Sequence, residues 1–359
     1  MTRAIAFGSL VLLGALGSAS AADLPVKARP LAPVAASGGF YVWADGSYQR
    51  VNLPTYNLGP SIFAGTGLAA TYGSQAVAVD PRLDGFGISG GVGYVLPPGT
   101  LAAFGSNFRI ELGGSFVRAT GTSNGAATYG PSATGALYQP LSGVLAVTFA
   151  CAPCNTSSSV ATTYESWQVK LKAASDIRSG TFTWTPSLAL FAGTSTNNQS
   201  LNQLTNNGFT PTNLIYVANT QERWTDWGAR AGLDGTVDVS PALAFGLGGS
   251  VAVAARRTTL SGNDLLNFGS TFINAGAVST GADRTAFLAN AEARLLYRVM
   301  PNVALKAFAG LNYDNSVPAI VAPSFVGPFG FFTAPTNAAS IGYQALTSYY
   351  AGGGVTVRF

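Results

Sequence analysis

Apolar and polar side chains alternate with a period of two along ten separated runs, at residues 39–50, 83–95, 108–119, 164–174, 181–192, 223–237, 242–255, 285–299, 303–315 and 347–359. Successive side chains of a strand face opposite sides, so each run predicts a β-strand with one apolar and one polar face. In the first run Phe40, Val42, Ala44 and Tyr48 oppose Asp45, Ser47 and Gln49. The third sets Ile110, Leu112 and Phe116 against Arg109, Glu111 and Ser115, and the fourth sets Trp167, Val169, Leu171 and Ala173 against Gln168, Lys170 and Lys172. The sixth opposes Trp227, Ala229, Ala231 and Leu233 to Glu222, Asp226, Arg230 and Asp234, and the eighth opposes Phe287, Ala289, Ala291 and Leu295 to Asn290, Glu292, Arg294 and Arg298. A charge turned toward lipid costs about 2–4 kcal/mol at the bilayer midplane, so keeping charges to one parity is what a transmembrane barrel requires.

The connections alternate in length. Short turns follow the fourth, sixth and eighth runs at 175–180, 238–241 and 300–302, Leu96-Pro-Pro-Gly99 follows the second, and long polar stretches follow the odd runs. This is the signature of an up-and-down barrel with short periplasmic turns and long outer loops. The expected fold is all-β: a transmembrane antiparallel β-barrel of ten strands, or twelve if segments 135–150 and 213–218 add strands, with eight less favoured. Tyr41, Trp43, Tyr48, Tyr94, Trp184, Trp224, Trp227, Tyr297, Tyr313, Tyr349 and Phe359 lie near run ends and suit two interfacial girdles.

Composition agrees. Charged residues make up 9% of the 359, against about 25% in ordinary globular domains. No window supplies the roughly 20 apolar residues of a spanning helix. The net charge of +4 comes from singly scattered basic residues, which give nucleic acid no patch to bind. Residues 1–21 read as a cleaved signal peptide, with Met1-Thr-Arg3, an apolar stretch over 4–17 and Ala19-Ser-Ala21 before the cut. Residues 22–37 read as a Pro-rich periplasmic lead-in, and 38–359 as the barrel with five long outer loops.

The chain contains no histidine. Ser-His and Asp-His mechanisms need imidazole as a base near neutral pH, so the expectation is a protein that is not an enzyme, with no cofactor and no metal. A carboxylate pair such as Asp226 with Asp234 or Glu292 could act as acid and base, but ion pairing inside the barrel is the simpler role. Cys151-Ala-Pro-Cys154 is the single cysteine pair. It reads as a small loop disulfide, since a redox motif needs a βαβ setting and zinc needs further ligands. The Gly-rich segment 85–93 sits in a strand with no helix after it, which favours close packing over nucleotide binding.

The candidate lumen lining comprises Arg109, Lys170, Lys172, Arg230, Arg294, Arg298, Lys306 and Arg358 with Asp45, Glu111, Asp226, Asp234 and Glu292. Eight cations against five anions would favour anions in a conducting lumen. Alternatively these groups form a salt-bridge network that fills it, because small barrels are filled by side chains and channels need many more strands. Inward Ala242, Ala244, Gly246, Gly248, Ser250, Ala252, Gly352 and Gly354 leave room for water.

Gly354, Val357 and Phe359 resemble the carboxy-terminal signal read by the barrel assembly machinery, although Gly352 stands where a polar residue is usual. Ala22-Asp-Leu-Pro-Val-Lys27, Trp43 in the first strand, the Gly-rich second strand and the final Phe resemble the porin-like outer-membrane proteins of alphaproteobacteria. The first strand with Gly87-Ile-Ser-Gly-Gly-Val-Gly-Tyr94 is also similar to the pore-forming Legionella-type major outer-membrane protein family. The resemblance implies a barrel in the outer membrane of a Gram-negative bacterium, partnered by outer-membrane lipid and, during biogenesis, by the assembly machinery. It also implies a porin-like passive pore for small solutes. The alternative is a closed structural or adhesive barrel acting through its surface loops.

Overall fold

A computed structural model describes residues 38–56, 58, 62–64, 79–97, 107–129, 133–139, 141–142, 144–150, 154–206, 214–268, 271–322 and 338–359. Among them are thirteen strands: β1 (Gly39–Asn52), β2 (Ile62–Ala64), β3 (Arg82–Val95), β4 (Asn107–Tyr129), β5 (Ala133–Gln139), β6 (Val144–Ala150), β7 (Cys154–Ser179), β8 (Phe182–Asn206), β9 (Leu214–Asp238), β10 (Leu243–Phe268), β11 (Thr271–Met300), β12 (Val303–Val321) and β13 (Ser340–Arg358). Ten of these close an antiparallel ring in the order β1-β13-β12-β11-β10-β9-β8-β7-β4-β3, while β2, β5 and β6 form a separate three-stranded sheet. The fold is an all-β closed barrel of ten strands, as the alternation predicts. Segment 135–150 therefore adds strands beside the ring rather than in it, and 214–218 extends β9.

The register sets the barrel's size. Following paired residues around the ring from Asp226 of β9 passes Gly193, Gln168, Ser115, Ser89, Asp45, Gly354, Lys306, Leu296 and Ala244, and returns to β9 at Asp238. One circuit thus advances twelve residues along β9. With ten strands that offset gives a tilt of about 40° and a backbone radius of about 10 Å. Long side chains reaching in from opposite walls of such a ring nearly meet.

Outward positions are apolar over 182–192 on β8 and 227–237 on β9, with Leu188 and Trp227 more than 65% exposed. Eleven residues at this tilt span about 25 Å, the height of the apolar band of a transmembrane barrel. Exposed Phe40, Tyr94, Phe182, Trp184 and Tyr297 edge the belt at the end with the short turns, and Tyr48, Trp167, Trp227, Tyr313 and Tyr349 edge it at the loop end. Three of the expected girdle aromatics face inward instead. Tyr41 and Trp43 share the parity of Asp45, and Trp224 shares that of Glu222, and parity outweighs nearness to a strand end.

Most strands run well past the belt at the loop end. β7 and β8 pair continuously up to Asn155 and Asn206, and β10 and β11 pair as far as Phe268 and Thr271. The long loops expected after the fifth and seventh barrel strands are therefore mostly strand. Residues 1–37, which carry the expected signal peptide and lead-in, lie outside the described residues.

Candidate functional site: the barrel interior

Within the belt, the inward side chains form two ion-paired groups and a separate pair. On β4, Arg109 donates to both oxygens of Asp176 at 2.7 and 2.8 Å and lies 3.3 Å from Glu111. Glu111 also accepts from Tyr41 Oη at 2.6 Å and lies 3.9 Å from Lys172 Nζ. Across the ring, Arg294 meets Asp234 at 2.9 Å and Glu292 at 3.9 Å, and Glu292 accepts from Tyr350 Oη at 3.1 Å. Lys306 donates to Asp45 at 2.8 Å, tying β12 to β1 across β13.

The small inward positions accommodate these side chains. A Cβ on Gly354 would collide with the Asp45 carboxylate, one on Gly248 with that of Asp234, and one on Gly246 with Arg294. The sequence-based expectation that Gly246, Gly248 and Gly354 leave space for water is thus corrected: a neighbouring strand's long polar side chain lies flat over each.

Within the belt, Lys170 and Arg230 form no ion pair with a carboxylate among the described residues. Lys170 Nζ sits 5.4 Å from the centre of the Trp43 ring, and the Arg230 guanidinium sits 5.3 Å from that of Phe191. Arg298 lies at the rim of the turn end, where it holds Asp238 at 2.9 Å and the Pro241 carbonyl at 3.0 Å. Arg358 is exposed at the same rim, its backbone N–H donating to Asn302.

Asp226 pairs with neither Asp234 nor Glu292. It receives two hydrogen bonds of 2.7 Å from Arg256, whose remaining N–H groups reach Asp314 at 2.8 and 3.1 Å and the Ser316 carbonyl at 2.6 Å. Arg256 is 2% exposed and lies 5.8 Å from the Trp224 ring centre. It ties β10 to β9 and β12 at the loop-end edge of the belt, one residue past the periodic run at 242–255. Its even number, shared with inward Ala252 and Ala254, is the signal that could have found it.

Beyond Arg256 the interior holds an apolar cluster among buried polar side chains that include Asn197, Gln199, Gln203 and Thr220. Val160, Leu201, Leu214, Tyr216, Leu260, Leu266, Val278 and Ile320 from six strands pack with Tyr56, Leu58, Val79, Leu141 and Ala339 from the connecting segments. Buried Asp264 on β10 anchors this core by accepting from the Leu141 and Ser142 N–H groups at 3.2 and 3.3 Å and from Tyr216 Oη at 3.0 Å. Below it lies Glu222, 3% exposed, which accepts from Asn197 at 2.7 Å. Burial pushes its carboxyl up to about 8, only partly offset by the Asn197 hydrogen bond. Cys151, and with it the expected disulfide to Cys154, lies outside the described residues.

No family model matches the chain, and no curated protein matches it in sequence. Among solved structures it is similar to the outer membrane protease OmpT from Escherichia coli, at 10% identity and a TM-score of 0.40 over 90% of this chain and 96% of that one. The translocator domain of autotransporter NalP from Neisseria meningitidis is similar at 11% identity and a TM-score of 0.28, over 89% of each chain. An anion-selective porin from Comamonas acidovorans is similar at 8% identity and a TM-score of 0.20, over 90% of this chain and 99% of that one.

Proposed function

We propose that the chain is an integral outer-membrane β-barrel closed to free diffusion, a membrane-anchored support that presents its loop-end wall and connecting segments at the cell surface. The observation that carries this reading is the apolar core inside the loop end, to which four connecting segments contribute Tyr56 with Leu58, Val79, Leu141 and Ala339. An aqueous route through that end would have to pass among fully buried leucines, and apolar surface sealed from water is stabilised by about 25 cal/mol per Å². The belt of about 25 Å supports a bilayer setting for the ring, and the leader expected over residues 1–21 is consistent with export to the outer membrane. Planar-bilayer recording of the purified chain tests the closed state: a quiet membrane is expected, and steady unitary conductance overturns it.

A porin-like pore for small solutes is the second reading. Ser115 and Asn312 favour it, because they have inward parity yet are exposed, which brings water to the interior within the belt. In that case Lys170 and Arg230, which form no ion pair with a carboxylate among the described residues, would make the conductance anion-selective, readable as a reversal potential in a salt gradient.

A further inference from the structure

The loop-end wall carries a second feature, on its outer face. Strands β4, β7, β8, β9 and β10 form a shallow trough of about 680 Å³ that runs across them. One bank is a rank of register-paired outward residues: Thr120, Thr163, Asn198, Gln221 and Ser261. The other bank lies two residues nearer the strand tips and includes Thr122, Ser200, Asn219 and Asn263. Gly121 and Gly262 lie between the banks. No residue lining the trough is charged, and Ala161 is the single one with a wholly apolar side chain. Five strands at their normal spacing make it about 20 Å long.

The trough's position narrows what it can hold. Its lower bank stands four residues beyond Trp167 on β7 and six beyond Trp227 on β9, about 10–15 Å above the belt. Between belt and trough lies a charged collar that includes the Arg118–Glu165 pair at 3.4 Å and Arg257 opposite Asp283. A lipid lying along this wall would therefore meet apolar, then charged, then neutral polar surface in that order. Amides and hydroxyls in paired ranks supply donors and acceptors without charge, which suits sugar hydroxyls. An anion would need cations here, and an apolar peptide would need apolar pockets.

We propose that this trough seats the saccharide chain of the glycolipid that surrounds the barrel in the outer leaflet. The proposal rests on the outer-membrane reading above. Saturation-transfer difference NMR on the full chain refolded in detergent, with deacylated and dephosphorylated core oligosaccharide of lipopolysaccharide as probe, tests it. Sugar protons should receive saturation from the natural chain. The Asn198→Ala/Gln221→Ala variant should bind about tenfold more weakly through loss of its amide hydrogen bonds, while Trp227→Ala in the belt should bind as before. Heat-modifiable gel migration verifies that each variant is folded, and Ser200→Trp, which fills the trough without removing an amide, should also abolish transfer. Absence of transfer from the natural chain, transfer undiminished in both trough variants, or binding only of the acylated or phosphorylated form overturns the proposal. The last outcome would assign the hold to belt or collar. Membrane fractionation tests the location separately: a chain found outside the outer membrane sinks that reading, whatever the NMR shows.

Discussion

Glu222 couples the loop-end interior to pH. Its carboxyl is buried with a single hydrogen-bond donor, Asn197, and is pushed up to about 8 from a usual value of 4.5. Between those values the folded chain keeps a proton that the unfolded chain releases, so stability falls as pH rises across the window and is greatest below it. Glu222→Gln should flatten that dependence, which urea midpoints near either end of the window would reveal; an equally steep decline in the variant would rule the assignment out. Arg256 has the opposite character, a buried cation serving two carboxylates at once. Replacing it with Met leaves Asp226 and Asp314 facing each other without a counter-ion and should cost about 3–5 kcal/mol, readable as a lowered unfolding midpoint. At this scale the sequence was legible wherever parity was strict: Arg109, Glu111, Asp234 and Arg294 stand on the inward side of their strands. It did not reveal partners, because ion pairing depends on registers between strands far apart in sequence, such as Lys306 with Asp45.

The strands were legible only as far as the belt. Within it one face is apolar and the other polar, and that contrast makes the period visible. Farther out on β8 both faces turn polar, with Asn197, Gln199 and Gln203 inside and Asn198, Ser200 and Asn202 outside. The alternation disappears although the pairing continues to Asn206. The edge of the belt can be located by substitution on β8 alone. Leu190→Arg, outward within the belt, should destabilise the lipid-embedded barrel by about 2–4 kcal/mol, whereas Asn198→Arg, outward but beyond it, should cost about 0–1 kcal/mol. Urea unfolding in vesicles compares the two, and equal costs would contradict a belt that ends between Leu190 and Asn198.

For the whole molecule the decisive quantity is occupancy of the interior, which neither strand count nor composition could supply. Ten strands lie between filled and open barrels, and the outcome depends on connecting segments whose aperiodic residues gave no hint that Leu141 and Tyr56 turn inward. Tyr129 and Cys154 are register partners, so residues 130–153 can be replaced by a short turn without interrupting the β4–β7 pairing. That deletion removes Leu141 from the core and should produce a conductance that the intact chain lacks; silence in both would transfer the seal to the ion pairs within the belt. The seam between β1 and β13 has a further consequence. The Phe359 N–H donates to the Phe40 carbonyl at 2.9 Å, and Tyr41 lies opposite Arg358, so the strand made first stays unpaired on one edge until the strand made last arrives. Every such contact has a very large sequence separation, which slows folding and leaves an adhesive edge exposed meanwhile. A circular permutant that joins the two seam strands by a turn and opens at Met300–Asn302 keeps every pairing but moves the late edge to β11 and β12. It should reach the same barrel by a different order of closure, with refolding half-times in vesicles as the measure.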